Sequence, residues 1–217
     1  MAESCLRVCR PRFRGGDMSR RSRKTSRLRA ERGFTMVELM MTLIVLGTLA
    51  ALAVPSFMNL IRGNRLTSSA NEMVAMLQTA RLAAVSNRAS VSVCPTTNGT
   101  DCTTALGSRW IAVMTKDGAT TVLRDSTLHP SVEVKTSPSL SGAGGTNKNK
   151  FTFLPSGFSK AGTSDGGTLA LCVPELRGNN NDLDVSTSVG RINTCRRPAT
   201  KACTAPTNTP ANNCANN

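Results

Sequence analysis

The hydrophobic pattern of this chain changes twice, and each stretch predicts a different element. Residues 39–61 form an uncharged run of 23 residues. A helix over this run would be roughly 34 Å long at about 1.5 Å per residue, enough to cross the hydrocarbon core of a bilayer. The run therefore predicts a transmembrane helix.

Beyond this run, apolar residues recur at the spacing of one helix face. The spacings are four, three, four, three and four residues, and the stripe consists of Leu66, Ala70, Met73, Leu77, Ala80 and Ala84. Such a stripe is typical of a helix that packs on the sheet of its own domain. We expect this helix to end near residue 88. Its opposite face carries arginines, at Arg62, Arg65, Arg81 and Arg88.

From residue 89 onward, short apolar runs alternate with turn signals, which is typical of β-strands. We predict strands near residues 90–94, 110–115, 121–124, 132–136, 151–154, 168–173 and 185–193. Two Asp-Gly pairs, at residues 117–118 and 165–166, suit tight turns. Residues 141–150 suit a flexible loop and residues 198–217 an irregular tail. The predicted fold class is α+β, with a long N-terminal helix, first transmembrane and then amphipathic, packed on an antiparallel β-domain.

The net charge of +14 suggests nucleic acid or an anionic membrane as a partner, but its distribution changes that picture. Residues 1–33 hold eleven basic and three acidic residues, a net charge of +8, which leaves +6 for the rest of the chain. Basic residues on one flank of a transmembrane helix keep that end in the cytoplasm. We therefore expect a single-pass protein with a cytoplasmic N-terminus and an exported C-terminal part.

Three interpretations of this N-terminus are open. It could be a secretory signal peptide with an A-x-A cleavage site at residues 51–53, or a plain signal anchor. Neither explains Glu38, a carboxylate in the apolar segment that would be unfavourable in lipid without a partner. The third interpretation rests on residues 33–39, whose sequence is GFTMVEL.

This junction resembles the class III leader of type IV pilins and type II secretion pseudopilins. The resemblance implies that a prepilin peptidase cleaves between Gly33 and Phe34 and methylates the new amino terminus of Phe34. It also implies that Glu38 pairs with the amino terminus of a neighbouring subunit, because both groups are unfavourable in lipid alone. Pro55 matches the family as well and would kink or locally unwind the helix.

Residues 77–94 narrow the resemblance to the H-type pseudopilin and FimT/FimU minor-pilin family, often written GspH/FimT/FimU. We accordingly expect a type IV pilin-like fold in five parts. These parts are a leader at 1–33, a transmembrane half-helix at 34–61, an amphipathic half-helix at 62–88, a periplasmic β-domain at 89–195 and a disulfide-containing tail at 196–217. Met18 is an alternative start, which would give a leader of 16 residues.

The resemblance implies a minor pilin that assembles in the bacterial inner membrane into or beneath a type IV pilus. Its expected partners are the prepilin peptidase, other pilins or pseudopilins and the membrane itself. The alternative is the H-type subunit of a type II secretion pseudopilus. We do not expect an enzyme, a cofactor or a metal site, because the sequence shows no carboxylate pair, catalytic triad or metal-ligand cluster.

The cysteines that follow the predicted cleavage site are expected to form disulfides, because that part of the chain is expected to be exported. They are Cys94, Cys102, Cys172, Cys195, Cys203 and Cys214. Six cysteines allow 15 pairings. Our hypothesis is two short loops, Cys94–Cys102 and Cys203–Cys214, and one link between the last two strands, Cys172–Cys195.

The charge near the C-terminus suggests a second function, binding of double-stranded DNA without sequence preference. Four basic residues and no acidic residue follow Val185, namely Arg191, Arg196, Arg197 and Lys201. FimT-like minor pilins bind DNA through a Gly-Arg-x-Arg motif, which residues 190–193 resemble except that Asn193 replaces the second Arg. Four phosphate contacts would give a slope of about −3.6 for log K against log salt. A solvated basic edge, a subunit contact and a dedicated DNA-uptake pilin remain as alternatives.

Overall fold

The computed structural model describes residues 33–174, 176, 181–197 and 202–208. The predicted leader therefore lies outside the described residues except for Gly33, and so do Lys201 and Cys214. Two compact units make up the chain, Met1–Val45 and Leu46–Asn217.

In the first unit, the described part begins with three non-helical residues. The long helix α1, Met36–Asn87, starts directly after them. Its apolar side chains in this unit are exposed, from Met36 at 81% to Val45 at 57%. The helix is long and apolar enough to cross a membrane, and its apolar window is unburied. The predicted transmembrane run is thus helical and presents apolar side chains outward.

The second unit contains the remainder of α1 and, within the described residues, nine strands. The strands are β1 Ser90–Pro95, β2 Arg109–Lys116, β3 Ala119–Thr127, β4 Glu133–Thr136, β5 Phe151–Phe153, β6 Ser159–Ala161, β7 Gly166–Cys172, β8 Asp182–Ser188 and β9 Arg191–Arg197. A short helix, α2 Pro138–Ser141, and a 3₁₀ turn, Gly145–Asn147, lie between β4 and β5. These strands form two antiparallel sheets, ordered β3-β2-β1-β5-β6 and β4-β7-β8-β9.

The predicted helical stripe forms the centre of the core. Every residue of that stripe, from Leu66 to Ala84, is buried. It shares one hydrophobic cluster with side chains of both sheets, among them Trp110, Phe151 and Leu169. The helix therefore holds the two sheets together, as the α+β prediction required.

The last predicted strand is wrong, because residues 185–193 are not one strand. They contain the end of β8, a two-residue turn at Val189 and Gly190, and the start of β9. Both turn residues have positive φ, 50° at Val189 and 85° at Gly190. Valine is disfavoured at positive φ, so the turn carries no strong sequence signal.

Three smaller predictions also need correction. The strand β6 was not predicted. The turn predicted at residues 165–166 lies earlier, at Gly162, which has a φ of 63°, and Gly166 already belongs to β7. Residues 141–150 are not a free loop, because Asn149 is buried and its amide is held at both ends. Its Oδ1 accepts from Thr136 Oγ1 at 2.8 Å and its Nδ2 donates to the Thr104 carbonyl at 2.8 Å. The Asp117-Gly118 turn is confirmed, with φ of 50° and 80°.

The disulfides follow from the strand order. Cys94–Cys102 is present as predicted, but Cys172 pairs with Cys203, so the predicted Cys172–Cys195 and Cys203–Cys214 pairs are wrong. Cys172 on β7 and Cys195 on β9 are separated by β8, which places them roughly 9.6 Å apart or more. A disulfide requires Cα atoms within about 7 Å. Cys195 is itself disulfide-bonded.

We predict that non-reducing peptide mapping of the mature protein recovers Cys172 linked to Cys203. Removal of this bond should lower the free energy of unfolding by roughly 3–4 kcal/mol, because it closes a longer loop than Cys94–Cys102, for which we expect about 2–3 kcal/mol. The variants Cys172→Ser, Cys203→Ser and the double variant should be equally unstable. A Cys172–Cys195 peptide, or additive losses in the double variant, would contradict the assignment.

Candidate functional sites: the N-terminal junction and the basic edge strand

The N-terminal junction is built around the start of α1. Thr35 directly precedes the helix, and its Oγ1 accepts a hydrogen bond from the Glu38 backbone N–H at 3.2 Å. Its carbonyl accepts from the Leu39 N–H at 3.1 Å. Thr35 is thus the N-cap residue, and Glu38 occupies the third helical position, the spacing of a capping box.

The Thr-x-x-Glu spacing, which the sequence analysis missed, places Glu38 at the position from which a capping-box side chain can accept from the Thr35 N–H. A carboxylate in the first turn is favoured by the helix dipole. This role needs only a side chain that can accept a hydrogen bond, which glutamine also provides. The charge of Glu38, in a segment apolar enough to cross a membrane, is not explained by capping.

Gly33 has no packing role in the described part of the chain. A Cβ added there would meet no described atom within 4 Å, and its φ is not among the positive values. A larger side chain would therefore fit the folded chain. The glycine at this position calls for a reason other than folding.

Pro55 lies inside α1, and the helix continues through it without a break. Local unwinding is therefore not seen at Pro55, and the alternative effect, a kink, stays a prediction. Proline has no N–H to donate to the carbonyl of Ala51, so one helical hydrogen bond is missing at this point.

The second candidate site is β9, the edge strand of its sheet, whose basic residues do not share one face. Side chains alternate along a strand, and Arg196 and Arg197 accordingly point in opposite directions. The Arg196 guanidinium donates to Thr67 Oγ1 on α1 at 3.2 Å. Arg197 contacts the acidic residues of β8 on the other face.

Arg197 forms a charge cluster with two buried carboxylates. Its Nη2 lies 2.8 Å from Asp182 Oδ2, and its Nε lies 2.9 Å from Asp184 Oδ2. The side chains of Asp182 and Asp184 are 0% and 4% exposed. Burial raises the pKa of both carboxyl groups above the ordinary value of 3.8, and the Arg197 guanidinium partly offsets this rise. The charge of Arg197 is therefore used inside the protein.

Arg197 also holds a segment that we call the strap, residues 202–208. It donates to Thr204 Oγ1 at 2.6 Å and to the Thr204 carbonyl at 3.0 Å. Farther along the strap, Asn208 accepts from the Ser139 N–H at 2.8 Å and, through its carbonyl, from Thr168 Oγ1 at 3.1 Å. Together with the disulfide at Cys203, these bonds fix this part of the predicted tail to the outer face of the second sheet.

One group of possible metal ligands lies beneath the strap. Donor atoms of Cys172, Asp182 and Cys203 lie within 4.8 Å of one another. The two sulfur atoms are bonded to each other, whereas a cysteine ligand has to be a thiolate. The group is therefore a disulfide bond next to the buried carboxylate of Asp182.

The basic residues predicted to bind DNA are consequently not brought together. Arg191 is exposed at the start of β9, roughly 20 Å along the strand from Arg197. Arg196 is partly buried against α1, Arg197 is paired with Asp182 and Asp184, and Lys201 lies outside the described residues. Two of the four charges that the sequence suggested for DNA are therefore engaged within the protein.

A long helix carrying an apolar half and a prepilin-type junction, followed by two antiparallel sheets, defines a type IV pilin-like subunit. Family comparison agrees: the model of the type II transport protein GspH matches residues 69–190, and that of the prokaryotic N-terminal methylation motif matches residues 28–54. The chain belongs to the GspH family, and it is a minor pilin or pseudopilin. No curated protein sequence matches it.

Two solved structures resemble the fold. The type IV minor pilin FimU of Pseudomonas aeruginosa is 23% identical, with a TM-score of 0.43 over 60% of this chain and 87% of FimU. The minor pseudopilin EpsH of the Vibrio cholerae type 2 secretion system is 12% identical, with a TM-score of 0.42 over 63% of this chain and 98% of EpsH. At these scores, neither structure is a basis for transferring the role of any residue.

We predict that Arg197→Ala lowers the free energy of unfolding by about 3–5 kcal/mol at neutral pH, because it leaves two buried carboxylates without a counter-ion. The exposed Arg191→Ala on the same strand should change it by less than about 0.5 kcal/mol. Chemical unfolding of the detergent-solubilised mature protein measures both.

The loss caused by Arg197→Ala should shrink on acidification. Folded-state pKa values above 3.8 mean that the folded protein binds the extra protons, so the stability from these carboxyls is present at low pH and lost as the pH rises through the raised values. Without Arg197 these pKa values rise further. A loss that is independent of pH would contradict the cluster as described.

Proposed function

We propose that this protein is a minor pilin of a type IV pilus, with a structural rather than a catalytic role. The observation that carries the proposal is Glu38, a carboxylate at the fifth position after Gly33 in an otherwise uncharged apolar segment. The segment lies within the match to the N-terminal methylation motif. Prepilin peptidase cleaves between Gly33 and Phe34 and methylates Phe34.

The proposed topology is a single pass through the inner membrane. Residues 34–61 cross the bilayer, the basic leader holds the N-terminal side in the cytoplasm, and the β-domain lies in the periplasm. The disulfides at Cys94 and Cys172 support an oxidising compartment for this domain. The open space around Gly33 leaves this residue accessible to a peptidase.

In the proposed assembly, Glu38 pairs with the positively charged amino terminus of a neighbouring subunit. Each group would be unfavourable in lipid alone, and the pair reduces that penalty. The pairing also fixes the axial register between subunits. Retention of Glu38 is consistent with a subunit that has another subunit above it in the fibre.

The alternative is the H-type subunit of a type II secretion pseudopilus, which shares the same maturation and the same family. The disulfide-rich C-terminal part and the basic edge strand favour the pilus. Deletion of the gene separates the two, because loss of surface pili supports the first and loss of protein secretion supports the second.

The maturation and assembly steps are tested with three variants expressed at native level. We expect Gly33→Val to stay uncleaved, because a side chain at this position blocks the peptidase. We expect Glu38→Gln to be cleaved and inserted in the membrane but at least about tenfold depleted in purified fibres. Glutamine keeps the size of the side chain and its ability to accept a hydrogen bond, so failure of this variant isolates the charge, and Glu38→Ala should be no better.

Immunoblots of membrane and sheared-fibre fractions, with N-terminal sequencing, measure these outcomes. Cleavage of Gly33→Val would remove the prepilin interpretation. Glu38→Gln at wild-type level in the fibre would contradict the proposed charge pairing of Glu38.

Binding of double-stranded DNA is a second candidate function, supported by the exposed Arg191 and by the excess of basic residues after Val185. Arg196 and Arg197 are engaged within the protein, so we expect contacts from Arg191 and Lys201. Two phosphate contacts give a slope of about −1.8 for log K against log salt, shallower than four contacts would give.

Titration of the full mature protein in nanodiscs with duplex DNA over a range of salt tests this second function. Arg191→Ala should reduce the slope by about 0.9, and Arg197→Lys, as a matched control, should leave it unchanged. Absence of binding at low salt, or binding that is unaffected by Arg191→Ala, would remove the DNA hypothesis.

A further inference from the structure

Two hairpins of this domain use the same turn with different residues. The β2–β3 turn is Asp117-Gly118, with φ of 50° and 80°, and the β8–β9 turn is Val189-Gly190, with φ of 50° and 85°. Aspartate and asparagine tolerate positive φ, whereas a β-branched valine is strained there. The second turn therefore keeps a disfavoured residue where the first has a favoured one.

The strained valine also has no burial that would compensate for it. Val189 is 56% exposed, and Phe158, on the neighbouring loop, is 52% exposed. Strain of this kind is retained where the surroundings enforce it and is frequent at functional sites. An exposed apolar side chain held in a strained turn points to contact with another molecule.

The turn is held rigidly against the rest of the domain. The Gly190 N–H donates to Ser159 Oγ on β6 at 3.0 Å. A Cβ at Gly190 would lie 2.3 Å from the Gly157 carbonyl oxygen, so only glycine allows this approach. The β8–β9 turn, which we call the tip, is thus held in a fixed position.

Gly157 connects the tip to the exposed face of α1. A Cβ at Gly157 would lie 3.3 Å from Val85 Cγ2 and 3.8 Å from Arg81 Nε. Beside it runs a groove of about 440 Å³, lined by Gln78, Arg81, Leu82, Val85 and Ile192. Leu82 is 71% exposed. We call the side chains of Leu82, Val85, Phe158, Val189 and Ile192 the tip patch.

We propose that the tip patch is the docking surface for a different pilin subunit, one that presents apolar side chains and a carboxylate to it. This inference rests on the proposed function. The carboxylate is required because Arg81 is the charged residue among those that line the groove, and a charge covered by a partner needs an opposite charge.

Other occupants fit the patch less well. Two copies of this chain related by a twofold axis that passes through the groove would bring Arg81 against Arg81, which is unfavourable. The C-terminal residues 209–217 contain no Asp or Glu and no large apolar side chain, and the leader is basic. Charge and composition therefore favour a partner from outside this chain.

The sharpest test is Val189→Asn, because stability and docking should move in opposite directions. Asparagine suits positive φ, so the thermal midpoint should rise by about 2–4 °C, while the amount of protein in purified fibres should fall about tenfold. The amount of the Arg81→Glu variant in fibres should fall similarly, whereas the amount of the Arg81→Lys variant should stay at the wild-type level. Leu106→Gln, at an exposed leucine outside the patch, is the matched control.

A photo-crosslinking residue at position 82, with position 106 as its control, identifies the occupant in intact cells. Mass spectrometry of the adduct should show another pilin subunit, joined through a segment that contains Asp or Glu. Val189→Asn and Arg81→Glu present in fibres at wild-type level would overturn the proposal, as would an adduct with a second copy or with a protein that is not a pilin. Failure of the proposed minor-pilin function can be told apart from failure of the docking proposal, because in the first case even the wild-type protein would stay uncleaved or outside the fibres.

Discussion

The packing of one helical stripe, Leu66 to Ala84, against both sheets is the interaction on which the β-domain depends. Removal of apolar surface from water drives this packing. The core around the stripe contains few large side chains, chiefly Trp110, Phe151 and Phe153. A thin core makes covalent and charged cross-links more important. The Cys172–Cys203 bond and the Arg197 cluster join the second sheet to the strap, which the stripe does not reach.

Much of this architecture could be predicted from periodicity, because helical spacing and strand alternation are strong local signals. The stripe and the first strands are where the pattern placed them. The errors near the end of the chain share one source. Valine at position 189 gives no turn signal, so the sequence pattern predicts a single strand where β8 and β9 are two. With only one strand there, Cys195 is expected beside Cys172. A single unrecognised turn thus changed a disulfide, which depends on which strands are neighbours rather than on spacing along the chain.

The candidate sites also differ in whether their residues are neighbours in the sequence or come together only in the fold. Residues 33–39 identify the prepilin junction without any structure, because the motif is contiguous. The basic residues near the C-terminus could be counted but not interpreted from the sequence, because their partners lie elsewhere. Asp182 and Asp184 precede Arg197 by 15 and 13 residues and meet it only through the hairpin. Part of the positive charge after Val185 is therefore a structural feature of the domain, in Arg196 and Arg197.

The Cys94–Cys102 and Cys172–Cys203 disulfides also differ in when they can form as the chain emerges. Cys94 and Cys102 are separated by 8 residues, but Cys172 and Cys203 by 31. At a synthesis rate of about 5–20 residues per second, the second partner of the longer bond follows the first by roughly 2–6 s. During that interval β8 and its two buried carboxylates exist without the strap. The strap is thus made after all four strands of the second sheet, and it can close that sheet only once residues 202–208 have followed.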